Sequence, residues 1–91
     1  MELKWTTKGL SDLTRLHDFL APANRTAAAR VVRSLVAATT RLREYPRLGE
    51  QLDEFLPREV RRILVAHYEI RYEIKESTVF VLRLWHTREE R

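Results

Sequence analysis

The sequence predicts an α+β domain in which a helical hairpin packs on one face of a small antiparallel sheet. Apolar residues recur at helical spacing between residues 10 and 42, whereas they recur at strand spacing or in short runs after residue 58. Helices followed by a group of strands are typical of α+β proteins. We therefore predict the order β-α-α-β-β-β. The 91 residues have room for one compact domain, which we place at residues 1–91.

The N-terminal half is predicted to hold one strand and two helices. Residues 2–6 alternate polar and apolar side chains and predict a short strand. A first helix begins within residues 6–8 and ends at Ala21, because the residue before a proline avoids the helical region. Asn24 is a good N-cap for the second helix, whose apolar stripe continues to Leu42. The short link between the two helices predicts an antiparallel hairpin.

Three strands are predicted in the C-terminal half. The second helix breaks at residues 45–49, and an acidic, irregular segment covers residues 50–57. Strands follow at residues 59–66, 68–75 and 79–86, joined by short links that suit antiparallel hairpins. The last is almost wholly apolar, so we expect a central strand that is buried on both faces. The sheet face away from the helices is expected to stay partly open and to carry the functional site.

Composition excludes several classes of function. Apolar residues make up 44% of the chain and charged residues 33%, which indicates a folded domain with a well-solvated surface. The chain contains no cysteine, which excludes disulfides and thiolate metal sites. The sequence has no signal-like start and no apolar run long enough to cross a membrane. We predict a cytoplasmic protein that does not bind membranes.

Positive charge is concentrated in the second helix. The chain has a net charge of +4, and 14 of its 17 basic residues are arginine. Residues 25–47 contain six arginines and one glutamate, whereas residues 48–57 are acidic. Arg30 and Arg33 are therefore candidate binding residues. This face could bind an acidic partner, either nucleic acid or an acidic polypeptide, or it could simply be a solvated surface.

A second group of basic residues falls on the predicted strands and at their end. A patch of arginines beside a histidine could hold a phosphate and perform acid–base chemistry on RNA. It could also dock an acidic peptide, or the arginines could simply pair with glutamates across the sheet. The sequence leaves these three interpretations open. The residues concerned are Arg61, Arg71, Arg83, His86 and Arg88.

Metal and cofactor chemistry have little support. His17, His67 and His86 are scattered without the spacing of metal ligands. The two glycines form no loop that could cradle phosphates, and no serine has a plausible histidine and aspartate nearby in the predicted fold. We therefore predict no metal site and no cofactor.

Several short motifs follow one another at characteristic spacing. In chain order they are Trp5-Thr6, Asp12-Leu13, Pro46 with Gly49, Arg61 seven residues before Tyr68, the Tyr-x-Ile-x-Tyr pattern at residues 68–72, and an apolar strand that runs into His86-x-Arg88. Together with the element order, this series resembles the ParE branch of the RelE/ParE toxin superfamily, also described as plasmid stabilisation proteins. The resemblance covers nearly the whole chain.

This resemblance implies a toxin that is encoded with an antitoxin. The antitoxin would fold on binding, adding a strand to the sheet or filling the groove beside it. ParE-type members poison DNA gyrase, whereas RelE-type members cleave mRNA in the ribosomal A site. In the RelE reading, the catalytic candidates are His86, Arg83 and Arg61.

Departures from the RelE pattern favour the non-catalytic reading. The chain lacks the lysine-rich stretch and the C-terminal tyrosine of RelE-like nucleases, and its last five residues include the carboxylates Glu89 and Glu90, which would repel RNA. We therefore predict a gyrase inhibitor that is not an enzyme. An mRNA endonuclease is the first alternative, and an inactive interaction module of the same fold is the second.

Overall fold

The computed structural model describes residues 1–89 and confirms the predicted fold class and element order. Glu90, one of the two carboxylates noted at the C-terminus, lies outside the described residues. The elements are β1 (Glu2–Trp5), α1 (Thr7–Leu20), α2 (Arg25–Arg41), β2 (Glu50–Gln51), a 3-10 turn (Asp53–Phe55), β3 (Glu59–Val65), β4 (Tyr68–Lys75) and β5 (Thr78–His86).

The strands form one five-stranded sheet in the order β1-β5-β4-β3-β2. The pairs among β2, β3, β4 and β5 are antiparallel, but β1 runs parallel to β5, so the sheet is mixed and not antiparallel throughout as predicted. Short turns dictate antiparallel pairing only between strands that follow each other in the chain. No such turn constrains β1, because the whole chain separates it from β5.

Two strand predictions need correction. The segment at residues 50–57, predicted to be irregular, contributes β2 and the 3-10 turn. β5 is an interior strand, but β4 occupies the centre of the sheet, and β5 is not buried throughout because Arg83 is exposed. A run of apolar residues indicates burial without indicating which interior position a strand takes.

Both helices begin where the sequence predicts and pack on one face of the sheet. The Thr6 hydroxyl accepts a hydrogen bond from the amide of Gly9, and the Asn24 side chain accepts one from the amide of Ala27. These caps satisfy amides that have no partner within the helix. No helix among residues 1–89 is long and apolar enough to span a membrane.

The core lies between the helices and the sheet. Its main cluster consists of Leu16, Leu35, Ile70, Val81 and Leu84. Burying a large aliphatic side chain contributes about 1.5–3 kcal/mol, so these residues supply much of the driving force for folding. The core side of β4 contains the alternating residues of the predicted Tyr-x-Ile-x-Tyr pattern. The opposite side of β4 faces the 3-10 turn.

Candidate functional site

The Pro46, Gly49 and Tyr72 motif residues meet at the end of the sheet. The Tyr72 hydroxyl donates a hydrogen bond to the Pro46 carbonyl at 2.7 Å and accepts one from the Gly49 amide at 2.9 Å. A Cβ atom at Gly49 would lie 2.5 Å from the Arg62 carbonyl oxygen, so only glycine fits there. Burial raises the pKa of the Tyr72 hydroxyl and keeps it neutral. These contacts attach the segment after α2 to the sheet.

Arg61 belongs to the same contact. Its Nη1 donates to the Gly49 carbonyl at 2.7 Å, and its Nε donates to Glu59 Oε2 at 2.9 Å. Only 14% of its side chain is exposed. The guanidinium is therefore committed to holding β2 and the preceding loop against β3. This arrangement indicates a structural role for Arg61.

Arg71 lies on the face of the sheet away from the helices, as predicted. Its guanidinium carbon lies 4.9 Å from the centre of the Trp85 ring and 5.4 Å from that of Phe55, so the group is held between two aromatic side chains. Nη2 lies 3.3 Å from Oε2 of the buried Glu69. Sequence reasoning missed Phe55, because nothing in the acidic segment indicates that it folds back over β4.

Arg83 lies directly across from Arg71 on the neighbouring strand, and its guanidinium pairs with α1. Its Nε and Nη2 donate to the two carboxylate oxygens of Asp12 at 2.7 and 3.2 Å, and the Leu84 amide donates to the same carboxylate at 3.0 Å. The pairing of β4 with β5 shifts by one residue here, so Leu82 is an extra residue in β5. Unbroken alternation from the buried Val81 would place Arg83 on the core side, so the shift places Arg83 on the side of Arg71.

Asp12, on α1, is buried. Burial raises the pKa of its carboxyl, but hydrogen bonds from Arg83 and the Leu84 amide outweigh burial, so the pKa lies below its ordinary value. The carboxylate is therefore ionised at neutral pH. Its role is to connect α1 to the irregular part of β5.

A basic groove of about 540 Å³ is lined by Arg71 and Arg83. Its charged lining residues are Lys8, Arg58, Arg71 and Arg83. Arg58 donates from Nε and Nη2 to both oxygens of Glu73, at 3.1 and 2.9 Å. Each arginine of the groove thus has a carboxylate within hydrogen-bonding distance. A phosphate would have to compete with those carboxylates for the same donors.

His86 lies at the other end of the sheet. Its ring contacts the rings of Tyr68 and His67, with centroids 5.2 and 5.9 Å away, and its Nδ1 accepts a hydrogen bond from the Arg88 amide at 3.1 Å. A groove of about 410 Å³ opens beside it. The walls of this groove are mostly apolar and include Phe19, of which 80% is exposed.

The structure does not assemble the nuclease candidates into one centre. Arg61 pairs with Tyr72, and His86 pairs with Tyr68, so four residues of β4 separate the two positions. At about 3.3 Å per residue the separation is roughly 13 Å along the strand alone. Arg83 and Arg71 are cross-strand neighbours that line the basic groove, and Arg83 is paired with Asp12.

The arginines of α2 have a different environment. Arg30 and Arg33 are exposed, as is Arg41 at the end of the helix. None of the three forms an ion pair with any of residues 1–89. Arg88 is likewise exposed beside the His86 groove. These residues keep their charge available to a partner.

A third groove runs between α2 and β3 and has a volume of about 370 Å³. β2 pairs only with Arg61 and Arg62, so within the described chain the outer edge of β3 is unpaired at residues 63–65. Leu48 and Leu64, both lining this groove, are more than half exposed. An unpaired strand edge beside exposed leucines is suited to an added strand.

Comparisons with known proteins agree with this architecture. A family model described as the ParE toxin of the parDE type II toxin–antitoxin system matches residues 3–91. Toxin RelE2 of Caulobacter vibrioides is 33% identical over 85 residues, which is 93% of each chain. A solved structure described as the chromosomal ParDE TA system from P. aeruginosa matches with a TM-score of 0.80 and 22% identity. The match covers 94% of this chain and 95% of that chain.

Proposed function

The chain belongs to the ParE family of type II toxins, and we propose that it arrests growth by inhibiting DNA gyrase without catalysis, in the cytoplasm. The observation that carries this proposal is the dispersal of the nuclease candidates. Arg61 is used in a structural contact, Arg83 is paired with Asp12, and His86 lies at the far end of the sheet. A binding function needs no such convergence.

The test of this proposal is a supercoiling assay with purified gyrase. The folded toxin is expected to inhibit supercoiling of relaxed plasmid in a concentration-dependent way, and the toxin–antitoxin complex should not. Relaxation of supercoiled plasmid by a different topoisomerase serves as the control, and the toxin should not inhibit it. Full supercoiling at a large excess of folded toxin would rule out this target.

An mRNA endonuclease is the second candidate, favoured by the likeness to a relative named Toxin RelE2. The His86 groove, with the exposed Arg88 on its rim, is where a phosphate could meet a histidine. Primer extension on mRNA from cells that express the toxin would reveal discrete cuts, which should vanish in His86→Ala. The same variant is expected to inhibit gyrase fully if the first proposal holds. Expression without growth arrest would instead favour an inactive interaction module.

Membership of a toxin–antitoxin family implies a cognate antitoxin. We propose that an extended antitoxin segment binds the groove between α2 and β3 and pairs with the free edge at residues 63–65. The segment would supply partners for unpaired backbone groups of β3 and would cover Leu48 and Leu64. Arg62 at this groove is paired with Glu50, but Arg41 has no ion pair within residues 1–89, and its charge favours a segment that carries acidic residues.

Two matched substitutions test this surface. Leu48→Asp places a charge in the groove between α2 and β3, whereas Phe19→Asp places the same charge in the His86 groove. Both side chains are more than half exposed, so neither change should prevent folding. Leu48→Asp is expected to weaken antitoxin binding at least tenfold in a titration, and Phe19→Asp to leave it within about twofold. If Phe19→Asp weakens antitoxin binding more than Leu48→Asp does, the antitoxin segment binds the His86 groove.

A further inference from the structure

Three arginines on the exposed face of α2 form a continuous basic surface, which we call the α2 arginine stripe. It consists of Arg30, Arg33 and Arg41. At about 100° per residue, the three side chains leave the helix within an arc of about 80°. They extend over roughly 16 Å along the helix axis. The stripe therefore presents its charges in one direction.

No acidic residue compensates this charge from within the helix. The sequence of α2 contains four arginines and no aspartate or glutamate. Nor does any carboxylate of residues 1–89 lie within ion-pair distance of the stripe. Like charges three residues apart on a helix repel one another by a few tenths of a kcal/mol. The stripe thus slightly opposes folding, as is typical of charges kept for a partner.

The residues between the arginines are small. Ser34, Ala37 and Thr40 lie beside the stripe and are exposed. Protein–protein interfaces depend on aromatic and large apolar side chains at their centre, and the stripe contains none. Contacts to a nucleic acid backbone, in contrast, come from arginines and small hydroxyl residues, which let the phosphates approach closely. The composition of this face therefore favours nucleic acid over an acidic polypeptide.

We propose that the α2 arginine stripe binds the phosphate backbone of duplex DNA without reading the bases. The inference rests on the proposed gyrase target, because gyrase acts on DNA and holds it in its working complex. A toxin that contacts gyrase would then meet DNA phosphates as well. Three arginine–phosphate contacts predict weak, sequence-independent binding, with a slope of about −2.7 for log K against log salt concentration.

Binding of a labelled 20-base-pair duplex of mixed sequence to the folded toxin tests this directly. The stripe variant is Arg30→Gln/Arg33→Gln/Arg41→Gln. Its matched control is Arg47→Gln/Arg58→Gln/Arg62→Gln, which removes three arginines outside α2 that have carboxylate partners. Both variants have the same net charge. The stripe variant should lose at least tenfold in affinity at low salt and most of the salt slope, whereas the control should stay within about threefold.

Three results would overturn the assignment. The first is an equal loss of duplex affinity in both variants. The second is salt-independent or undetectable binding of the duplex by the unaltered toxin. The third is tighter binding of single-stranded RNA or polyglutamate than of the duplex. A supercoiling assay separates this inference from the proposed function. If the stripe variant loses duplex binding and the control variant does not, the stripe is the DNA-binding surface, even if gyrase proves insensitive to the toxin. If gyrase is the target, the stripe variant should need several-fold more protein for the same inhibition.

Discussion

Arginines on the strands and arginines on α2 have opposite electrostatic surroundings, although both are numerous and partly exposed. Arg62, Arg71 and Arg83 each lie within hydrogen-bonding distance of a carboxylate. Arg30 and Arg33 have no such partner among residues 1–89. Residue type and exposure therefore do not reveal which arginines can bind a partner. The position of the nearest carboxylate in the folded chain decides it.

The two regions also differ in what they contribute to stability. Ion pairs at an exposed surface contribute about 0–1 kcal/mol. Asp12 and Glu69 are buried, however, and a buried carboxylate depends on its cation and hydrogen-bond donors for its charge to be tolerated. The strand arginines are thus part of the fold. The helix arginines contribute nothing comparable and remain free for function.

The largest expected effect is that of Asp12→Ala. The substitution leaves the buried Leu84 amide without an acceptor and Arg83 without its partner, so we expect the free energy of unfolding to fall by about 3 kcal/mol. Urea denaturation measures the change. Asp18→Ala, on the same helix but exposed, should cost less than about 0.5 kcal/mol. Equal costs at the two positions would contradict the distinction between buried and exposed carboxylates.

Tyr72→Phe is expected to cost about 1–2 kcal/mol. It removes the acceptor of the Gly49 amide and the donor to the Pro46 carbonyl, while the packing of the ring is kept. The control is Tyr68→Phe, since Tyr68 makes no hydroxyl hydrogen bond within residues 1–89. Thermal denaturation of both variants gives the comparison. An unchanged stability of Tyr72→Phe would mean that Arg61 alone holds the loop.

A fall in pH should lower the free energy of unfolding by less than the two substitutions above, because it protonates carboxylates that are paired with arginines. Hydrogen bonds from arginines lower the pKa of Asp12, despite its burial, and that of Glu73. Groups whose pKa is lowered by folding stabilise the protein above their unfolded pKa, near 4, and lose this contribution as the pH falls through the folded pKa. The free energy of unfolding should therefore drop below about pH 4. Urea midpoints at several pH values would detect this, and Asp12→Asn should flatten the curve.

The smallest effect should have the opposite sign in the two regions. Arg30→Ala/Arg33→Ala removes a like-charge pair on α2 and replaces both residues with a good helix former, so we expect stabilisation of about 0.2–0.5 kcal/mol. Arg58→Ala breaks the pair with Glu73 and should cost about 0.5 kcal/mol. Differential scanning calorimetry resolves shifts of this size. A destabilised Arg30→Ala/Arg33→Ala variant would show that α2 has partners of its own.

Local signals predicted the fold more completely than the partners of the candidate site residues. Element order follows from local signals such as the Asn24 cap and the alternation in β4. The patch of arginines depended on strand register, and the extra residue at Leu82 places Arg83 beside Arg71, but no local pattern indicated that Asp12 pairs with Arg83. Phe55 could not be assigned to the surroundings of Arg71, because that contact joins segments with no local pattern in common.

By itself, the sequence determined the fold class, the caps of both helices and the concentration of positive charge in α2, because each depends on neighbours within a few residues. It also contained the motif of Pro46, Gly49, Arg61 and Tyr72, but not its role. Only the tertiary structure decided that these four residues hold a loop to the sheet, and that the strand arginines are paired while those of α2 are not. Pairing is a property of distance in space, which local spacing does not specify.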